Sequence, residues 1–157
     1  MRGVAGEPPL RSAAILPVAR PSDTRALSPE PRGGGVMEVK HINDVEATPG
    51  TTFTGPVAMK RLFPMALPDG MSLGLVRFEN GARTNWHQHE GEQILIIVEG
   101  EGRAGNGEQE FLNLGPGTVL HMPPNERHWH GAMPGKDMAH YTITNIGPAT
   151  WFEAPEE

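Results

Sequence analysis

The chain has 157 residues, a formal net charge of −6 and no cysteine, and its 20 glycines and 16 prolines make up close to a quarter of it. Disulfides, thiolate metal sites and thiol nucleophiles are therefore excluded, and any metal must be held by nitrogen and oxygen. The length fits one domain, no apolar run approaches the ~18 residues of a membrane span, and an acidic body without a basic stripe argues against nucleic acid.

Residues 1–36 carry six prolines, no aromatic residue and five arginines against three acids, with neither helical nor strand period. They are expected to be disordered, with residues 37–157 forming the folded domain. A signal peptide is the rival reading, since Arg2 precedes an apolar patch at residues 13–19, but Pro17 interrupts that patch. In a bacterial message, Arg32-Gly33-Gly34-Gly35-Val36 would be encoded by purine-rich codons just ahead of Met37. A ribosome-binding site translated by mistake, with Met37 as the true start, would explain the run. N-terminal sequencing of the native protein that finds residue 1 would exclude it.

From Met37 the texture changes. Residues 38–42 read as a first edge strand, 43–51 as a polar connection, and 53–63 as one strand with Pro56 near its start. Residues 64–70 form a loop with a turn at Pro68-Asp69-Gly70. Residues 72–79 alternate, with Leu73, Leu75 and Arg77 on one side and Gly74, Val76 and Phe78 on the other. Asn80-Gly81 is a tight-turn pair. Strands follow at 83–89, 93–101, 109–114, 118–122, 127–132 and 138–145, with residues 102–107 read as a hairpin turn. Eight or nine short strands at regular spacing make an all-β sandwich or barrel. Residues 93–98 (QILIIV) are apolar on both faces, so one face lines the interior and the other needs cover. A homodimer is the expected cover, because large exposed apolar patches are unusual. The tail from Trp151 is acidic and expected to be peripheral.

Six of the seven histidines lie between Gly81 and Thr144. His87 and His89 are two apart, so on a strand both side chains aim at one side. If strand pairing brings Gln93 and His128 to the same place, three imidazoles and an amide oxygen converge. That donor set suits Mn, Fe, Zn or Ni. His130 shares the face of His128, and His140, Thr142 and Thr144 share a face of the last strand. A histidine with a pKa of about 6.5 serves as general base or acid near neutral pH, which makes His130 and His140 candidate proton carriers. His121 and Tyr141 are out of phase with these positions and expected to face outward. Trp86 and Trp129 are expected to pack, and Arg83 to form a surface ion pair.

The same residues resemble the two motifs of the cupin superfamily. The first motif is a glycine, five residues, HxH, three or four residues, a Glu, six residues and a glycine. Gly81, His87, His89, Gln93 and Gly100 fit it. Gly117, Pro123 and His128 fit the second motif, with Asn125 standing in for a glycine. Asparagine tolerates the left-handed turn conformation needed there. Gln93 stands where most metal-binding members carry Glu, which leaves the ion its full positive charge. A more positive centre binds anionic ligands better and lowers the pKa of bound water further.

From Met37 to about Asn145 the chain is similar to small single-domain bacterial cupins of the carboxymuconolactone-decarboxylase-associated type. These include manganese-dependent hydroxynitrile lyases. The likeness includes Phe53-Thr54-Gly55, RHWHG at residues 127–131 and MAH at residues 138–140. It implies an all-β double-stranded β-helix (a jelly-roll barrel) with a divalent metal on His87, His89, Gln93 and His128. Manganese is the first expectation, with iron, zinc or nickel behind it. It also implies catalytic roles for His130 and His140 and for position 144, where those lyases carry a glutamine and this chain has Thr144. The expected protein is a cytoplasmic metal-dependent lyase acting on a small molecule, anionic if the substrate is a hydroxy or keto acid. An iron-dependent dioxygenase and a non-catalytic small-ligand or metal-binding module are the alternatives. Turnover without oxygen would remove the first; saturable binding with unchanged ligand would mark the second.

Overall fold

The computed structural model describes residues 37–64 and 70–156. The expected disorder before Met37, the extension ahead of that start, and Pro68 and Asp69 of the expected turn lie outside the described residues. In chain order the strands are β1 (Thr48–Pro49), β2 (Phe53–Thr54), β3 (Val57–Phe63), β4 (Met71–Phe78), β5 (Arg83–Thr84), β6 (His87–Gln88) and β7 (Gln93–Gly100). They continue with β8 (Gly102–Gly105), β9 (Glu110–Leu114), β10 (Val119–Met122), β11 (Trp129–Ala132), β12 (Met138–Asn145) and β13 (Thr150–Trp151). A first sheet has the order β1-β3-β4-β12-β7-β10, a second β2-β5-β11-β8-β9, and β13 pairs with β6 in a separate ribbon. Between β4 and β12 the chain passes back and forth between the two larger sheets. This is the jelly-roll arrangement expected from the sequence.

Two of the crossings are made by glycine turns. Asn80 and Gly81 both have positive φ (48° and 82°), so the tight turn forms. It carries the chain from β4 in one sheet to β5 in the other, where a hairpin would have returned it to its neighbour. Gly100 makes the crossing from β7 to β8 with φ 73°, and a Cβ there would collide with the Asp137 carbonyl. Only glycine fits.

The alternation read in residues 72–79 is present. Val76 and Phe78 turn inward and join Val57, Ala82, Ile97, Ala132 and Met138 in one apolar cluster, with Phe53, Met59, Leu114 and Leu120 packed against it. Phe78 is fully buried, and burial of such a ring contributes about 1.5–3 kcal/mol. On the outer face, the register sets Leu75, Tyr141, Ile96 and Val119 in one row and Leu73, Ile143 and Ile94 in the next. Val119 is 61% exposed. The second apolar face of residues 93–98 is real.

Four expected elements differ. Residues 38–42 form no strand: the edge place beside β3 belongs to β1, and His41 instead caps a 3-10 turn at Ile42–Asp44. Residues 53–63 are two strands in different sheets, separated by Gly55 at φ 84° and by Pro56, which lacks an N–H. Residues 83–89 divide likewise into β5 and β6, because Asn85 donates to the Thr52 carbonyl and Trp86 to that of Glu153. Residues 102–105 are a strand, not a turn. The turn lies at Asn106–Gln109, where Asn106 Oδ1 accepts from the backbone N–H groups of Glu108 (3.2 Å) and Gln109 (3.0 Å).

Candidate metal centre

Backbone pairing sets the predicted residues in two adjoining pairs. His87 and His128 exchange both backbone hydrogen bonds, each 2.9 Å, so two positions 41 apart in sequence become direct neighbours. On the facing sheet, Gln93 starts β7 directly opposite Thr144 of β12. Period two then places His140, Thr142 and Thr144 on the same inner face. His130 follows on β11, its backbone N–H donating to Thr84 Oγ1 at 3.1 Å.

One ring nitrogen from each of His87, His128 and His130 lies within 4.8 Å of the others, and all three residues are buried. His87 Nδ1 is 3.0 Å from the Asn85 carbonyl oxygen and His128 Nδ1 is 2.9 Å from that of Glu126. A carbonyl only accepts, so each Nδ1 carries the proton and each Nε2 keeps a bare lone pair. Burial, then the neighbouring His128, pushes His87 down to about 3. Burial and His128 likewise push His89 down to about 4. Burial also lowers His128 and brings His140 to about 4. His130 is held well below its ordinary value by burial first and His140 second. These rings are uncharged at neutral pH.

The amide of Gln93 completes the centre. Its nitrogen donates to Thr142 Oγ1 (3.1 Å) and Thr144 Oγ1 (3.3 Å), and its oxygen lies 2.9 Å from His128 Nε2. Two lone pairs thus face each other among neutral rings. Both ring nitrogens of His89, and Nε2 of His130, are shielded from solvent and have no hydrogen-bond partner among the described residues. Such a set is under-satisfied as it stands, and a divalent cation taking nitrogen and oxygen donors fits it.

Of the four expected ligands, His87, Gln93 and His128 meet. The His89 ring is 5.4 Å from His87 and 6.0 Å from His128, outside the three-histidine group that His130 joins. His140 contacts that group through Nε2, 3.3 Å from His130 Nδ1, and Thr144 through Gln93. His121 is exposed, 3.7 Å from Glu92. Tyr141 sits half-buried on the outer face, and Trp129 packs between the guanidinium groups of Arg83 and Arg103, 5.5 Å from each.

Two expectations are overturned. Arg83 makes no surface ion pair among the described residues; it is buried and donates to the Pro155 carbonyl at 2.8 Å. Nor is the tail peripheral. β13 lies opposite β6, and the Trp151 ring stacks on His87 at 4.6 Å and 27°. Phe152 N–H donates to the Trp86 carbonyl at 2.8 Å, and Arg127 pairs with Glu153. The sequence signal was two adjacent aromatics in a stretch otherwise free of them.

A cavity of about 380 Å³ reaches the centre, lined by Phe111, Leu114, Leu120, Met122 and Trp129 together with His128 and His130. Among the described residues Glu126 is its one acid, and neither Lys nor Arg lines it.

The cupin domain model matches residues 74–145. An (R)-mandelonitrile lyase from Granulicella tundricola is 38% identical over 109 residues, covering 68% of this chain and 83% of that protein. The chain belongs to the cupin family. A cupin-like protein from Thermotoga maritima is 37% identical, with a TM-score of 0.66 over 71% of this cupin and 89% of the other. A polyketide cyclase from Streptomyces resistomycificus shares the fold at 21% identity and a TM-score of 0.59, covering 77% of this cupin and 89% of its own chain.

Proposed function

We propose that this cupin is a metal-dependent lyase that cleaves a small, uncharged hydroxynitrile into a carbonyl compound and hydrogen cyanide. The observation that carries the reading is the facing pair of lone pairs on His128 Nε2 and Gln93 Oε1, 2.9 Å apart beside two further histidines. His87, His89, Gln93 and His128 would hold the ion, manganese first among Mn, Fe, Zn and Ni, and when bound it supplies Lewis acidity toward a substrate oxygen. The likeness to the mandelonitrile lyase supports the reaction class. A cavity lined by Glu126 and, among the described residues, by no Lys or Arg supports an uncharged substrate over a hydroxy or keto acid.

The proton work falls to His130. Its ring starts uncharged, with Nδ1 set against His140 Nε2 and Nε2 without a hydrogen-bond partner among the described residues. Nε2 takes the substrate hydroxyl proton while the C–CN bond breaks. The O–H electron pair becomes the C=O bond, and the C–C pair leaves with cyanide. The same proton then passes to cyanide, which balances atoms and charge. His140 holds the orientation of His130 and shares its proton through the 3.3 Å contact. The experiment is cyanide release from mandelonitrile under nitrogen, using protein loaded with Mn(II). Turnover that is lost in His87→Ala is expected. Turnover only with oxygen, or saturable binding with no cyanide, would overturn the lyase reading.

A further inference from the structure

An amide can serve as a metal ligand through oxygen but not through nitrogen, so the orientation of Gln93 decides whether it counts. Its nitrogen uses both of its N–H bonds, one on Thr142 Oγ1 and one on Thr144 Oγ1. We infer that Thr142 and Thr144 are positioning residues that fix the Gln93 amide with its oxygen toward the metal position, and so let an uncharged side chain act where an acid is usual. This rests on the metal reading above.

The surroundings favour that role. Thr142 and Thr144 are two apart on β12 and point inward together, with hydroxyls 3.4 Å apart, and Thr144 stands opposite Gln93 in the register. Gly74 of β4 faces Thr142 from the other side, and a Cβ at that position would lie 3.3 Å from Thr142 Cγ2. The threonine methyl therefore fills the room that a side chain at position 74 would take, and the hydroxyl is left for Gln93. Gln93 and Thr144 are each 6% exposed, so bulk water does not compete as an acceptor. A flipped amide would donate an N–H to the bare Nε2 of His128. Both groups would then be satisfied by each other, and no oxygen would be left for a cation.

The test is a titration of metal-free, full-length protein with Mn(II), following free Mn(II) by electron paramagnetic resonance. Wild type is compared with Thr142→Val/Thr144→Val, with Gln93→Glu, and with the triple variant. Valine keeps the shape of threonine and removes the acceptor. The double variant is expected to lose about 10- to 100-fold in affinity, the usual scale for groups that orient a ligand. Adding Gln93→Glu is expected to restore binding to within a few-fold of Gln93→Glu alone, because the two oxygens of a carboxylate are equivalent and a flip hides neither. An unchanged affinity in the double variant, or a loss that Gln93→Glu does not repair, overturns the role. Equal Mn(II) uptake by wild type and His87→Ala would instead bring down the metal reading, and this inference with it. Should the double variant fail to fold by circular dichroism, Thr144→Ser and Thr144→Val make the same comparison. Serine is expected to match wild type and valine to lose affinity; equal losses overturn the role.

Discussion

The interior of this barrel holds two regions that meet at Phe78, whose ring lies 5.5 Å from His140 and 5.9 Å from His130. On one side of that ring Val57, Val76, Ala82, Ile97, Ala132 and Met138 close on one another. On the other, His87, Gln93, His128, His130, His140 and Thr144 are as deeply buried, yet Nε2 of His130 and Nδ1 of His140 have no hydrogen-bond partner among the described residues. Burial stabilises the first group at about 25 cal/mol per Å² of apolar surface. In the second, each unpaired polar atom costs about 1–3 kcal/mol. The contrast shows a division of labour. The apolar region keeps the barrel shut, so that the histidine region can hold neutral donors at fixed spacing at a cost to stability.

Removing the boundary should have the largest effect. Phe78→Ala is expected to cost about 3–5 kcal/mol in urea unfolding of metal-free protein. A loss below about 1 kcal/mol would mean that stability does not reside where the division puts it. Acid attacks the other region. The folded-state values of His87 (about 3) and of His89 and His140 (about 4) lie below the ordinary 6.5, so the unfolded chain binds more protons in between. Stability from these rings is therefore full above about pH 6.5 and falls as the pH drops toward those folded-state values. Thermal melts of metal-free protein at several pH values across that window check the sign, and a flat profile contradicts it. The smallest change in stability is expected for His140→Leu, which puts an apolar side chain beside Phe78. Unfolding free energy should stay within about 1.5 kcal/mol of wild type, while cyanide release falls by about 10²-fold or more. Equal losses of stability and turnover would erase the distinction between the regions.

What could be read in advance follows the range of the signal. Period-two patterns over eight residues found β4 and β12 almost to the residue. The two motif spacings also led to His87, Gln93 and His128. Asn125 takes the left-handed conformation expected of it, with φ 63°. Two-residue strands carry no period, so β2, β5, β6 and β13 were merged with neighbours or missed. Residues 38–42 are too few to show a period or to say which partner strand is free, and β1 took the edge. Arg83 reads as a surface residue by type; its burial depends on Pro155, which is 72 positions away. How close the His89 and His130 rings come to His87 and His128 depends on ring placement that strand phase does not determine.

The match to the family model ends at residue 145, yet the ring that covers His87 belongs to Trp151 and the carbonyl that engages Arg83 to Pro155. Cutting a gene at the edge of the recognised segment would keep every histidine of the centre and uncover one of them. A fusion partner joined there would stand where the natural cover lies. The segment matched by the family model is thus shorter than the unit that closes over the centre.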